Sequence, residues 1–197
     1  MITLIIVDPQ YDFIEHGKLP VDGGTKALDN VVKLIESGEV GGVIITQDSH
    51  TPNHCSFKDF GGEFPEHCVT NSHGYLIYKP ILDAIECKNI RTTNIYKGER
   101  NEEFSAFLEE HGDFYNHIVL ETVYHSDNIY SHVILRKDDE VVICGLAGDI
   151  CVLNTIESIL PAIPNLQVFL DGIASIDNGE KLLNFMNKNN IKEYKFK

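Results

Sequence analysis

Residues 141–152 read VVICGLAGDICV, and this stretch carries the clearest structural signal in the chain. A run of β-branched residues ends in small residues, a pattern typical of a buried strand that leads into a helix. Cys151 falls near the start of that helix, where free N–H groups and the helix dipole favour a thiolate. The pattern predicts a nucleophilic cysteine beside an oxyanion pocket. The alternative is a small core cysteine, because cysteine is among the most buried residue types.

Strands and helices alternate outward from this stretch. Residues 2–8 form a continuous apolar run that ends in an aspartate and suits a central parallel strand. The alternation predicts one domain over residues 1–197, with a mainly parallel α/β sheet. The other predicted strands cover residues 40–46, 92–96, 139–145, 167–171 and an edge strand at 191–196, and the clearest helices cover 25–37, 80–87, 151–160 and 177–187.

The segment between residues 101 and 135 has the weakest pattern. Phe104, Phe107 and Leu108 have helical spacing and predict a short helix from Asn101. A second helix is predicted from the Ser126-Asp127 cap to Leu135. Residues 111–125 fit neither element, and we interpret them as an insertion before the strand at 139–145.

Charge and composition limit the partners of the protein. The chain has 197 residues and a net charge of −14, with 30 acidic and 16 basic residues. Nucleic acids and anionic membranes attract clustered positive charge, and no basic stripe occurs, so we expect neither as a partner. The apolar start at residues 2–7 is too short for a signal peptide or a membrane span, which predicts a cytoplasmic protein. Five cysteines without disulfide-like spacing predict reduced thiols. Whether the protein forms a homo-oligomer stays open.

Several predicted strands end in residues that can carry chemistry. Asp8 ends the first strand, Lys97 follows the third strand, and Cys151 follows the fourth strand at 139–145. In an open α/β sheet, ligands bind at the carboxyl ends of the strands. We therefore expect Asp8 to accept the thiol proton and Lys97 to stabilise the thiolate. The alternatives are a helix-capping role for Asp8 and a solvated Lys97.

Carboxylate and imidazole side chains cluster after the second strand. Asp48 and His50 are two residues apart, so in extended backbone they point to the same side. His54 and His67 follow on the next loop. Such side chains suit zinc, iron or manganese. The alternative for any one of these histidines is a solvated position on the loop.

These motifs resemble those of the cysteine hydrolases of the isochorismatase-like superfamily, most closely the nicotinamidases, over almost the whole chain. The resemblance implies a three-layer sandwich in which a mainly parallel sheet of about six strands has helices on both faces. It also implies one divalent metal ion, zinc before iron or manganese, and nicotinamide as the small-molecule substrate. The matching segments are IIVDPQYDF at 5–13, TQDSH at 46–50, HCSF at 54–57, FPEHCV at 64–69, YKG at 96–98, FSAF at 104–107 and GLAGDICV at 145–152.

The resemblance further implies a role for each site residue. Cys151 would attack the carboxamide of nicotinamide, with Asp8 and Lys97 completing the triad, and water would hydrolyse the thioester to nicotinate. The N–H groups of Gly148 and Cys151 would hold the oxyanion, beside a cis peptide between Ala147 and Gly148. The remaining implied residues are Phe13, Phe64 and Ala147 for substrate binding and Asp48, His50, His54 and His67 for the metal.

Three departures from the family pattern leave alternatives open. Phe64 stands where tryptophan is usual, and Gly148 stands where threonine is usual, so a hydroxyl is missing beside the oxyanion pocket. Relatives differ in the ligand at the position of His54, and Glu63 is the alternative there. The competing functions are another small-amide or carbamoyl hydrolase of the superfamily, or a catalytically silent protein that binds nicotinamide or metal.

Overall fold

A six-stranded parallel sheet forms the centre of the protein. The computed structural model describes residues 1–99, 103–114, 117–122, 132–136 and 139–196. The strands within them are β1 (Ile2–Val7), β2 (Val40–Asp48), β3 (Arg91–Lys97), β4 (Phe107–Phe114), β5 (His117–Thr122), β6 (His132–Arg136), β7 (Glu140–Gly145), β8 (Gln167–Ile173) and β9 (Lys192–Glu193). The large sheet runs in the order β3-β2-β1-β7-β8-β9, and a smaller antiparallel sheet has the order β4-β5-β6.

Helices cover both faces of the large sheet. Side chains alternate between the two faces along a strand, so β1 contributes to two separate cores. On one face its Leu4 and Ile6 pack in the same cluster as Leu28. On the other face its Ile5 packs in the same cluster as Ile156. The three-layer α/β prediction is therefore confirmed, with α1 (Gly24–Glu36) and α2 (Lys79–Lys88) on one side and α3 (Leu153–Ile159) and α4 (Glu180–Asn189) on the other.

The helices predicted between residues 101 and 135 are wrong wherever the structure describes this segment. Phe107 begins β4 and is buried in the same core cluster as Leu135, which lies on β6. β6 pairs with β5 over residues 132–136, and its run of β-branched side chains favours an extended backbone over a helix. The rest of both predictions, at 101–102 and 126–131, lies outside the described residues.

The parallel arrangement brings the carboxyl ends of the central strands to one edge of the sheet. Asp48 at the end of β2 is in register with Lys97 at the end of β3. Val7 at the end of β1 is in register with Gly145 at the end of β7. Residues that follow these four strands are therefore neighbours in space. None of the helices in the described ranges is long and apolar enough to cross a membrane.

Candidate active site

Lys97 lies at the centre of a buried network of ion pairs. Its ammonium nitrogen is 2.8 Å from Asp8 Oδ2 and 2.6 Å from Asp48 Oδ1. Burial alone would lower the pKa of Lys97, but the two carboxylates outweigh burial and raise that pKa well above its ordinary range. Burial likewise would raise the pKa of Asp48, yet Lys97 and the neighbouring imidazoles hold it well below its ordinary range. The network therefore favours a charged Lys97 beside an ionised Asp48.

Asp8 is fully buried beside Lys97. Burial raises the pKa of Asp8 despite the opposing charge of Lys97. Thr46 Oγ1 donates a hydrogen bond of 2.7 Å to Asp8 Oδ1. Asp8 Oδ2 faces the Lys97 ammonium, and the Cys151 thiol hydrogen-bonds the Asp8 carboxylate. The carboxylate is thus within reach of both the lysine and the thiol.

Cys151 reaches this network through its sulfur. Its Sγ lies 3.6 Å from Lys97 Nζ, and its side chain is buried. Burial raises the pKa of the Cys151 thiol well above its ordinary range, and Asp8 and Asp48 raise it further, although Lys97 lowers it. Burial and the two carboxylates thus favour the protonated thiol, which is opposite to the effect expected from the helix start alone.

Three ligand-type side chains converge beside the ion pairs. Asp48, His50 and His67 each offer a donor atom, and the three atoms lie within 4.8 Å of one another. The Nε2 atoms of the two imidazoles are 3.3 Å and 3.7 Å from Asp48 Oδ2. Each Nδ1 donates to a backbone carbonyl, that of Gly98 for His50 at 2.6 Å and that of Pro65 for His67 at 2.8 Å. These bonds turn the Nε2 atoms toward the carboxylate, an arrangement typical of divalent metal sites.

His54 lies beside this cluster but outside it. Its ring stacks on that of His50, with centroids 4.3 Å apart. Its Nδ1 accepts the N–H of Ser56 at 3.3 Å, and the backbone of Glu99 hydrogen-bonds the same imidazole. The structure does not place His54 among the converging ligands, although His54 lines the same cleft, and its role as a metal ligand stays a prediction. The alternative, Glu63, is exposed and is also outside the cluster formed by described residues.

The backbone donors near Cys151 differ from the prediction at two points. The Gly148 N–H donates to the Ala174 carbonyl at 2.8 Å, so the prediction of Gly148 as an oxyanion donor is wrong. The cis peptide joins Leu146 to Ala147, one residue before the predicted position. The Ala147 N–H has no acceptor within the part of the chain that the structure describes, and Ala147 lines the same cleft as Cys151. The open donor is therefore Ala147.

A mostly apolar cleft connects the thiol with the metal-ligand cluster. The three predicted substrate-binding residues, Phe13, Phe64 and Ala147, all line it. An apolar cleft with a few converging polar groups suits a small aromatic ligand. The other lining residues are Leu19, Val21, Asp48, His50, His54, Ser56, His67, Gly98, Glu103, Phe104, Ile150, Cys151 and Ile176.

Sequence reasoning missed two buried residues that support the site from behind. Gln10 donates from Nε2 to the Asp48 carbonyl at 2.9 Å and accepts the Asp48 N–H at 2.8 Å. Asp12 accepts the N–H of Cys68, the neighbour of a ligand-type histidine, at 2.7 Å. Both residues belong to the segment at 5–13 that resembles the family motif, and this resemblance was the only sign in the sequence that they could support the site. Their role depends on contacts with distant loops, which the local pattern does not show.

Comparisons with known proteins give close agreement over most of the chain. No family model matches it. The chain is 31% identical over 164 residues to the nicotinamidase/pyrazinamidase of Mycobacterium tuberculosis, covering 80% of this chain and 77% of that protein. The solved pyrazinamidase of Pyrococcus horikoshii in complex with zinc has a TM-score of 0.70 and 25% identity, covering 98% of each chain. The structure of PnC1 from L. infantum in complex with nicotinate has a TM-score of 0.73 and 25% identity, covering 98% of this chain and 91% of that one.

Proposed function

We propose nicotinamide hydrolysis as the activity of this chain, which belongs to the nicotinamidase/pyrazinamidase family. The products are nicotinate and ammonia. The observation that carries the proposal is the Cys151 thiol, which lines one cleft with an Asp-His-His cluster, lies 3.6 Å from Lys97 and reaches Asp8 through that lysine, which is 2.8 Å from the Asp8 carboxylate. These are the parts that a cysteine amidohydrolase with an aromatic substrate needs: a nucleophile, a base, a charge partner and a point that orients the ring.

The thiol of Cys151 attacks the carboxamide carbon as its proton passes to Asp8 Oδ2. This order follows from the raised pKa of the thiol, because a protonated nucleophile must lose its proton during the attack. The C–N bond then breaks, and Asp8 returns the proton to the leaving ammonia. Water next attacks the thioester with Asp8 again as the base, which releases nicotinate and restores the thiol. Lys97 stays charged throughout and offsets the negative charge of Asp8.

The N–H groups of Ala147 and Cys151 hold the oxyanion in this proposal. Ala147 is supported by its open N–H and its place in the cleft wall. Donors that are already in position when charge develops stabilise the transition state without further reorganisation. Gly148 is excluded from this role because its N–H is bonded to the Ala174 carbonyl.

Asp48, His50 and His67 are the proposed ligands of one divalent ion, with zinc as the first candidate. When bound, such an ion supplies a fixed positive centre that orients a pyridine ring through its nitrogen. Phe13 and Phe64 flank this point, with ring centroids 5.6 Å and 5.9 Å from that of His67. Their rings would enclose the faces of a flat aromatic substrate. In this proposal the carboxamide faces the thiol and the ring nitrogen faces the ligand cluster.

The test is the release of nicotinate and ammonia from nicotinamide by the zinc-loaded protein. Cys151→Ala is expected to lower kcat by at least about 10³-fold, because the covalent route is lost. Cys144→Ala is the matched control, since Cys144 is buried within β7 and its sulfur faces the Ile5 carbonyl at 3.7 Å. That variant should keep its turnover. An inert wild-type protein would contradict the proposal, and cleavage of a different small amide would keep the chemistry but change the substrate.

A further inference from the structure

Glu103, six residues after Lys97, places its carboxylate beside the site. Glu103 Oε2 accepts the N–H of Gly98 at 2.9 Å and the N–H of Glu99 at 3.0 Å. The same side chain forms part of the cleft wall. None of the reaction steps above uses this carboxylate. Its two hydrogen bonds instead hold the turn that begins immediately after the catalytic lysine.

This turn contacts two of the proposed metal ligands directly. Gly98 has a φ of +85°, and a β-carbon at this position would lie 2.7 Å from Cε1 of His50 and 2.8 Å from Oδ1 of Asp48. The Gly98 carbonyl accepts the Nδ1–H of His50 at 2.6 Å. A shift of this peptide would therefore change both the orientation of the His50 ring and the nitrogen that carries its proton.

We propose that Glu103 is a positioning residue of the metal centre, which acts through the Gly98–Glu99 turn to hold His50 with Nε2 directed at the metal. A carboxylate that accepts two neighbouring N–H groups fixes both peptide planes, and such charge-assisted bonds are about twice as strong as neutral ones. Glycine at positive φ leaves the turn free to move without this support. The inference rests on the proposed metal site but not on the proposed reaction.

The test compares zinc affinity and the protonation pattern of His50 among variants. We expect Glu103→Ala to weaken zinc binding by about 10- to 100-fold, the usual effect of losing an outer partner of a ligating histidine. Glu103→Gln keeps an acceptor oxygen for both N–H groups and should stay within about threefold of the wild type. Glu157→Ala, at an exposed glutamate of α3, is the control and should not change the affinity. Zinc affinity is measured by competition with a chelator.

A second measurement does not depend on the metal. In the metal-free protein, nitrogen NMR shifts of the His50 ring should report an Nδ1–H tautomer in the wild type and Glu103→Gln, and a mixture in Glu103→Ala. If Glu103→Ala does not fold, Glu103→Met replaces it, because methionine keeps the side-chain length without a carboxylate acceptor.

The outcomes separate this inference from the proposed function. The inference is overturned if Glu103→Ala leaves zinc affinity within about twofold of the wild type, or if Glu103→Gln loses as much affinity as Glu103→Ala. An unchanged His50 tautomer in Glu103→Ala also overturns it. If the wild-type protein hydrolyses nicotinamide and Glu103→Ala binds zinc as tightly as the control variant, this inference is wrong and the proposed function stands. A wild-type protein that binds no zinc contradicts the metal site, and the His50 shifts then still decide whether Glu103 positions the ring.

Discussion

Individual residues in this site depend on one another because their charges are buried together. Asp8 and Lys97 are fully buried and Asp48 is nearly so. An ion pair of this kind adds little net stability, but removing one partner leaves an uncompensated charge and costs several kcal/mol. A neutral hydrogen-bond donor that completes this network therefore contributes to the stability of the buried charges. Thr46 is such a donor, since it bonds Asp8 through its hydroxyl.

Two buried threonines give a matched test at this scale. Thr46→Val removes the donor to Asp8 Oδ1 and should lower the free energy of unfolding by about 1–3 kcal/mol. Thr155→Val should be neutral or stabilising, because the Thr155 hydroxyl is buried and has no hydrogen-bond partner among the described residues. Urea denaturation of both metal-free variants measures the difference. Equal losses in the two variants would show that the Asp8 contact contributes nothing of its own.

At the scale of elements, the connection from β7 to α3 determines where the nucleophile lies. β7 ends at Gly145 with a φ of +120°, and a β-carbon there would lie 2.1 Å from the Val7 carbonyl oxygen. The chain then forms a wide helical turn over Gly148–Val152 before α3 begins. Because this connection passes close to β1, Cys151 lies near Asp8, the residue that follows β1.

The segment after β8 supplies a hydroxyl at the position where Gly148 lacks a side chain. A β-carbon at position 148 would lie 2.2 Å from Oγ of Ser175 and 2.6 Å from Cγ2 of Ile173. The Ser175 hydroxyl therefore occupies the space that a larger side chain at position 148 would need. The glycine at position 148 is thus coupled to a residue that faces it from the segment after β8.

A double-mutant cycle tests this coupling. Gly148→Ala should cost about 1–3 kcal/mol of unfolding free energy through overpacking. Ser175→Ala alone should change it by less than about 0.5 kcal/mol. The double variant should recover part of the loss, with an interaction energy of about 0.5–3 kcal/mol, and Ile173 prevents full recovery. Strict additivity in chemical denaturation would rule out the contact between the two positions.

At the scale of the whole molecule, the proposed metal ion would join segments that are far apart in sequence. Asp48 ends β2, His67 lies on the long loop before α2, and the turn after β3 supports His50. A ligand that binds only the folded state stabilises it in proportion to the logarithm of its concentration. Metal binding should therefore raise the stability of the entire α/β domain and not only that of the loop.

Zinc is accordingly expected to raise Tm. At a zinc concentration of about 100 times Kd, the folded state gains about 2.7 kcal/mol, and a chelator removes this gain. His67→Ala should abolish the shift because it removes one of three converging ligands. His73→Ala, at an exposed histidine outside the cluster, should retain it. A shift of the same size in both variants would place the stabilising ion elsewhere. Calorimetry with zinc and with chelator measures the effect.

The sequence was sufficient to predict the layered fold and the proximity of Asp8, Lys97 and Cys151. Buried parallel strands are recognisable from local apolar runs, and parallel strands bring their carboxyl ends to one edge whatever the detailed packing. Local patterns failed at β4 and β6, where helical spacing of Phe107 and its neighbours competed with strand pairing. Pairing partners there come from separate segments, so a local window does not detect them.

Only the tertiary structure decided which atoms at the site are available. The Gly148 N–H is bonded to the Ala174 carbonyl, and the ring of His54 is hydrogen-bonded to the backbone of Glu99, although both residues lie in segments that resemble the family motifs. The protonation of Cys151 likewise depends on burial and on carboxylates from other strands. A motif specifies the type of a side chain, whereas its free hydrogen-bonding groups and its charge depend on the neighbours that folding brings to it.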